Sequence, residues 1–347
     1  MTAALRKILF IRRDNIGDLV CTTPAIRAVR LKHPSARIAV LVNSYNAGAI
    51  KNNPDIDEVY VYEKEKHAAG KGALRVFWEN LGVIRRIRRE RFDAVVGCSY
   101  GYSGRVARLA FFTGARYRAG FVSKKKPASK MLYNLRVEEP EGAIHEVEAM
   151  MRLVAPFGVE GPAPPLFVRP SEDEVKKVMD HLKGQGYAGG GLIVFHISSR
   201  RPKNRWPKER FKELGDMLQK AAGAAILLLW SPGSFDNALH PGDDDAAGWV
   251  ASSMSSRPFT FRTSTLAELI AAMSMASCVV CCDGGAMHIA AGLGKPILTV
   301  WGTTSSQRWA PWGVPRVILR KDTGIASSVS AQEAFDGFMS LMQRGAR

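Results

Sequence analysis

The feature that most constrains this chain is a strand–helix alternation that runs twice, once on each side of a proline-rich stretch. In the first half, short apolar and β-branched runs occupy 7–12, 37–43, 58–62, 93–97 and 116–120. Amphipathic stretches at 74–89 and 104–112 lie between the later runs. Strands separated by helices call for right-handed βαβ crossovers and a mostly parallel sheet. Residues 157–170 then break the rhythm with four prolines and two glycines, a linker composition. The alternation restarts with strands expected at 192–196, 225–230, 278–282 and 297–301, and helices at 208–222, 265–276 and 286–293. The expected fold class is therefore α/β, with two facing Rossmann-like domains and a cleft between them. The domains are placed at 1–160 and 171–330, followed by a C-terminal helix at 331–347 that packs back on the N-terminal domain. A short-period repeat is absent, which argues against a solenoid or propeller.

A chain of 347 residues can bury two such cores, and 46% hydrophobic with 23% charged residues is a globular balance. The first apolar run, Ile8-Leu-Phe-Ile11, is closed by Lys7 and Arg12, too short for a signal-peptide core. The expected location is cytoplasmic. Five cysteines at irregular spacing, Cys21, Cys98, Cys278, Cys281 and Cys282, read as reduced thiols. The C-x-x-C at Cys278–Cys281 has no second half to complete a zinc site and reads as part of a buried strand.

Charge is the unusual bulk property. The net +17 is concentrated in residues 1–170, where 29 basic residues face 16 acidic ones, a net +13. A surplus confined to one half suggests an anionic partner for that half: phosphorylated lipid, a membrane surface or nucleic acid. Helix-turn-helix, zinc-finger and RNA-binding sheet signatures are lacking, so nucleic acid is the disfavoured partner.

Open parallel sheets bind ligands at the carboxyl ends of their strands, and three loops there carry chemistry. The first, Arg12-Arg-Asp-Asn-Ile-Gly-Asp18, leads from the first strand into a helix expected at 19–32. Asp18 is placed near the helix start, where it can serve the cleft, cap the helix, or balance Arg12 and Arg13. The second, Asp283-Gly-Gly-Ala-Met-His288, puts Gly284 and Gly285 at a helix N-terminus, whose free N–H groups suit a phosphate. Asp283 can accept from sugar hydroxyls, and His288 can donate to a phosphate or pack the turn. With no G-x-G-x-x-G, a dinucleotide dehydrogenase is disfavoured. The third, 196–207, carries Ser198 and Ser199, then Arg200, Arg201, Lys203 and Arg205 before Trp206-Pro207, a set suited to a diphosphate.

Together these loops resemble the heptosyltransferase family of bacterial lipopolysaccharide synthesis, glycosyltransferase family nine. The resemblance runs from Ile8 to about Trp301. It rests mainly on Asp14-Asn-Ile-Gly-Asp-Leu-Val-Cys-Thr-Thr-Pro24 and on Asp283-Gly-Gly-Ala-Met-His-Ile-Ala-Ala-Gly-Leu-Gly-Lys-Pro296. Lys203–Pro207, Trp230-Ser-Pro-Gly233, Tyr117-Arg-Ala-Gly120 and His145-Glu-Val-Glu148 are similar to further family signatures.

The resemblance implies an inverting enzyme of the GT-B type, with the nucleotide sugar, ADP-heptose or in a related transferase another nucleotide sugar, held by the C-terminal domain and the acceptor by the N-terminal one. It implies Asp18 as general base and Asp283 as a sugar contact. The backbone of Gly284, Gly285, Ala286, Met287 and His288 is implied to hold the diphosphate, aided by Lys203 or Arg205, with Asp236 as the match for a ribose-binding acid. The implied acceptor is an anionic lipopolysaccharide core or lipid-linked sugar, met on the inner face of the cytoplasmic membrane.

For that acceptor the candidate contacts are Arg105, Arg118, Lys124, Lys125 and Lys126, with Arg108, Arg116 and Lys130 nearby. The stretch 123–130 reads as a mobile loop. Arg85, Arg86, Arg88 and Arg89 form a second, helical cluster that reads as a solvated face or a membrane-facing stripe. No cofactor or metal is expected beyond the nucleotide sugar itself, and Asp243-Asp-Asp245 reads as capping or solvated acids.

Overall fold

The computed structural model describes residues 5–63, 72–125, 129–236 and 242–345. The chain divides into two compact units, Met1–Phe167 and Val168–Arg347. The boundary falls inside the proline-rich stretch.

In the first unit, β1 (Lys7–Ile11) leads into α1 (Ile16–Val20), α2 (Thr23–Lys32), β2 (Arg37–Asn43), β3 (Glu58–Tyr62) and α3 (Ala73–Arg89). There follow β4 (Ala94–Gly97), α4 (Gly104–Phe112), β5 (Tyr117–Val122), α5 (Ser129–Leu132), β6 (Leu135–Glu138) and α6 (Glu146–Val154). The six strands are ordered β3-β2-β1-β4-β5-β6, all parallel. Consecutive crossovers thus proceed outward from β1 in one direction, then return to start again at β4.

The second unit opens with α7 (Glu172–Gly184), β7 (Leu192–His196), α8 (Lys208–Ala222), β8 (Ala225–Trp230) and α9 (Asp244–Ser253). It continues through β9 (Phe259–Arg262), α10 (Leu266–Ser274), β10 (Ala276–Cys282), α11 (Gly285–Gly292) and β11 (Ile297–Trp301). It ends with α12 (Ser306–Trp309), β12 (Arg316–Arg320) and α13 (Ala331–Gly345). Its sheet is ordered β12-β11-β10-β7-β8-β9, again parallel throughout. Counted within its own unit, each sheet has the order 3-2-1-4-5-6 and a switch point between its first and fourth strands. Such a crevice, outside the strands' carboxyl ends, is where doubly wound sheets bind ligands.

Three strands escape the sequence pattern: β6, β9 and β12. All are sheet edges, and every one of their residues is partly or fully exposed. An edge strand covered on fewer sides does not need a continuous apolar run, so its composition carries less signal.

The helix expected over 19–32 is two helices. Pro24 lacks the N–H that would bond the carbonyl of Val20, and the Thr23 hydroxyl takes that acceptor instead at 2.7 Å. The Thr22 hydroxyl likewise donates to the carbonyl of Asp18 at 2.9 Å.

The C-terminal helix also departs from expectation. The helix expected to pack on the N-terminal domain is α13, and its packing is on β11, β12 and α8 of the second unit. Its Ala334, Phe338 and Leu341 enter the same core as Phe211, Leu218 and Leu298. Two Rossmann halves leave one sheet face of the last strands uncovered unless a helix lies on it, and α13 is the next apolar stripe in the chain.

All five cysteines are buried and unpaired with one another. Burial pushes the thiols of Cys98, Cys278 and Cys282 up to about 12, which suits packing residues and not reactive ones. Among the described residues, no helix is long and apolar enough to cross a membrane.

Candidate active site

In the first unit the candidate site begins where β1 ends. The loop after it is pinned from below: the Asn43 side chain donates to the carbonyls of Arg13 and Asp14 at 2.9 and 3.0 Å, and Asn46 to Asp14 at 3.2 Å. Arg13 leaves the loop on one side, bonding the Tyr62 hydroxyl at 2.7 Å and lying over that ring. Arg12 turns inward and is almost wholly buried.

Asp18 stands in the first turn of α1, and both structural roles open to it in the sequence are realised together. Its Oδ2 accepts from the backbone N–H of Asn15 at 3.0 Å, closing the turn as a cap does. Its Oδ1 accepts from Arg12 Nη2 at 2.9 Å. Arg13 takes no part in that balance. The carboxylate is thus held by donors on both oxygens, yet its side chain keeps 14% exposure and remains reachable.

Sequence reasoning missed the residue behind this pair. Glu146, at the start of α6, is fully buried and accepts from Arg12 Nη2 at 2.5 Å. Its neighbours His145 and Glu148 build a capping box: His145 Nδ1 accepts from Val147 N, and Glu148 accepts from His145 N. The family-like His145-Glu-Val-Glu148 pattern therefore serves to start α6 and to aim Glu146 at Arg12.

The acceptor candidates are dispersed. Arg105 is exposed on α4. Arg118 is occupied by the fold: its guanidinium donates to the carbonyls of Leu132 and Ala115, both at 2.9 Å, and lies over Phe111. Lys124 is exposed, 3.4 Å from Glu141, and Lys125 is exposed beside it. Lys126 lies outside the described residues. The last two residues of the stretch 123–130, read as a mobile loop, instead begin α5.

The second unit gathers its candidates at the β7/β10 switch point. The Ser198 hydroxyl accepts from Ser231 N at 2.8 Å, and Ser199 donates to the carbonyl of Asp283 at 3.4 Å. Asp283 Oδ2 accepts from Asn204 Nδ2 at 2.8 Å and from the Thr304 hydroxyl. Burial pushes the Asp283 carboxyl above the usual carboxylate range, against the lowering effects of Thr304, the Arg201 charge and Asn204. Asn204 also accepts from Thr303 N at 3.2 Å, so it ties three loops together. Neither Asn204 nor Thr304 stood out in the sequence, since single amide and hydroxyl residues carry no spacing signal.

Gly284 caps α11, and a Cβ placed there would meet nothing within 4 Å. The helix N-terminus thus opens onto free space, where an anion can approach the backbone. Met287 and His288 are buried, which leaves only their backbone to face a ligand at this helix start; the His288 ring stands edge-on to Trp309.

The two rival cations part company. Lys203 is exposed on the turn Pro202–Asn204. Arg205 is paired with Asp243 and lies 4.9 Å over the Phe235 ring, beside a cavity of about 310 Å³ that Trp206, Lys208 and Asp245 also line. Asp244 is held by Arg262 and by Trp230 Nε1, which pull its carboxyl down to about 2. Asp236 is exposed, on a loop that runs into residues outside the described set.

This geometry has a counterpart among known proteins. A model of glycosyltransferase family 9 (heptosyltransferase) matches residues 81–338. The chain belongs to glycosyltransferase family 9. It is 23% identical over 298 residues to lipopolysaccharide heptosyltransferase 3 of Escherichia coli, covering 85% of this chain and 83% of that one. Two solved structures share its fold across nearly the whole length. A family 9 glycosyltransferase from Veillonella parvula superposes with a TM-score of 0.82 at 20% identity, over 99% of both chains. The ADP-heptose lipopolysaccharide heptosyltransferase II of E. coli gives 0.75 at 19%, over 98% of this chain and 100% of the other. Both units lie within these matches, and the chain has the GT-B type of fold that its motifs implied. This family 9 glycosyltransferase presents, at each switch point, the loops that its sequence singled out.

Proposed function

We propose that this glycosyltransferase moves heptose from ADP-heptose to an anionic lipopolysaccharide-core or lipid-linked acceptor, with inversion at the anomeric carbon and without a metal. One observation carries the reading: an open helix N-terminus at Gly284–Gly285 stands on a loop tied by Asn204 to the turn that bears Lys203. Backbone N–H groups and an exposed cation are the donors a departing diphosphate needs. The E. coli protein of the same fold is an ADP-heptose lipopolysaccharide heptosyltransferase, which supports the choice of donor. In the other unit, Asp18 is the carboxylate placed to take the acceptor hydroxyl's proton as that oxygen attacks.

The acceptor side is proposed to work at an anionic membrane surface, on the inner face of the cytoplasmic membrane. Leu74, Phe77 and Trp78 stand exposed on α3, at 77%, 59% and 60%. Arg85 and Arg89 lie on the same helical face, seven and eleven residues after Trp78. Aromatic groups followed by arginines suit a headgroup layer over acyl chains.

Calorimetry with ADP, AMP, UDP and GDP tests the donor site. ADP is expected to bind at least tenfold more tightly than AMP and than the other diphosphates. Equal affinity for ADP and AMP removes the diphosphate site, and preference for UDP or GDP replaces the donor with another nucleotide sugar.

A further inference from the structure

The buried pair Arg12–Glu146 joins β1 to α6 across 134 positions of sequence, and it touches the proposed base. One nitrogen, Arg12 Nη2, donates to both Glu146 Oε1 and Asp18 Oδ1. Among the described residues the guanidinium also has Met150 Sδ 3.3 Å from Nη1 and Asp14 Oδ2 3.5 Å from Nε. The charged and titratable groups facing Arg12 are therefore Asp14 and Asp18 from the loop and α1, Glu146 from α6, and Cys98 after β4. Burial keeps the Cys98 thiol neutral. Asp18's other oxygen sees only the uncharged N–H groups of Asn15 among these contacts.

Of the three carboxylates, Glu146 is fully buried, whereas the Asp18 and Asp14 side chains are 14% and 46% exposed. Solvent can screen the charge of the latter two but not that of Glu146. Burial alone would lower the basicity of Arg12; Glu146, Asp18 and Asp14 outweigh it and hold the guanidinium charged. A buried ion pair adds little stability over a well-packed apolar pair, so stability alone does not account for it.

We propose that Glu146 is a positioning residue for Asp18: it neutralises Arg12, so that Arg12 orients the Asp18 carboxylate without holding it as a weak proton acceptor. This rests on the reading of Asp18 as general base. A carboxylate facing a guanidinium with no other counter-charge gives up its basicity, because the cation favours the ionised form. With Glu146 on the same nitrogen, the N–H geometry is kept while the field at Asp18 is reduced.

The test is the pH dependence of turnover, with ADP-heptose and a truncated lipopolysaccharide core. Glu146→Gln keeps the shape and removes the charge. Its acid limb is expected about one pH unit below that of the wild type, with a several-fold lower plateau and unchanged ADP affinity. The double variant Arg12→Gln/Glu146→Gln removes both charges. Its limb is expected above the wild-type position, because the charge in direct contact with Asp18 is the one lost. An unmoved limb in a folded Glu146→Gln overturns the proposal. Where Glu146→Gln does not fold, a double-variant limb at or below the wild-type position overturns it. Asp18→Asn, run alongside, separates the two readings. If Asp18→Asn is inactive while Glu146→Gln keeps the wild-type limb, only the role of Glu146 fails; an active Asp18→Asn removes the base itself.

Discussion

Arg205 donates through Nη1 to Asp243, and the pair is closed over by the Phe235 ring. The Arg205 side chain is 16% exposed and that of Asp243 5%, and among the described residues Arg205 Nη2 and Asp243 Oδ2 have no hydrogen-bond partner. An arginine so enclosed supports the loop before α8, while Lys203, two residues earlier, is exposed. Lys203→Ala is therefore expected to weaken ADP binding about tenfold, the loss of one charge-assisted contact, with little change in thermal stability. Arg205→Ala is expected to destabilise the second unit by on the order of 3 kcal/mol, because it strands Asp243. Calorimetry and thermal melting of the two variants check the assignment; the reverse pattern would make Arg205 the phosphate ligand.

His196 closes β7 in the interior of the second unit, and burial pushes its imidazole down to about 4. The folded state therefore holds it neutral while the unfolded chain protonates it near its ordinary value of about 6.5. Its contribution is fully present above pH 6.5 and is lost as pH falls toward 4, by about 3 kcal/mol in all. Urea unfolding of the wild type should weaken across that window. His196→Gln should show a flatter dependence there, and parallel curves for the two proteins would rule out this site as the cause.

On α3, serine at both Phe77 and Trp78 should reduce co-sedimentation with anionic vesicles, because the inserted aromatic surface is lost. Replacing Arg85 and Arg89 should cost about 2 kcal/mol, roughly thirtyfold, and the effect should shrink as salt is raised. ADP affinity should stay the same in both variants. If instead serine at Lys124, Lys125 and Lys126 abolishes vesicle binding while the α3 variants bind normally, the membrane contact belongs to that other loop.

Tyr133 lies flat across β4 and β5, where Gly97 and Gly120 make room for its ring. A Cβ on Gly120 would fall 2.2 Å from the Tyr133 ring, and one on Gly97 2.2 Å from its hydroxyl. Gly120→Ala should therefore destabilise the first unit by about 1–3 kcal/mol. Chemical denaturation would show it, and pairing Gly120→Ala with Tyr133→Leu should recover part of the loss.

Much of this protein is legible in its sequence because the information is local. The apolar runs at β2, β7, β8 and β11 mark interior strands, and the run at β3 marks an edge strand with two buried tyrosines; their limits match the alternation. The glycine-bearing turns after β1 and β10 announce the candidate site, since a tight strand-to-helix turn needs those residue types in sequence. Three of the four edge strands, β6, β9 and β12, stay hidden because half-exposed positions tolerate polar residues.

Tertiary structure alone decided the rest. Strand order, and with it the two switch points, depends on which crossover returns to the centre, which no local pattern encodes. The partner of Arg12 lies 134 residues away, and the arginine that joins Asp243 was indistinguishable by composition from the lysine two positions earlier. Periodicity reports which face of an element is buried. Which charge meets which counter-charge depends on long-range placement and on the cost of leaving either one unpaired away from water.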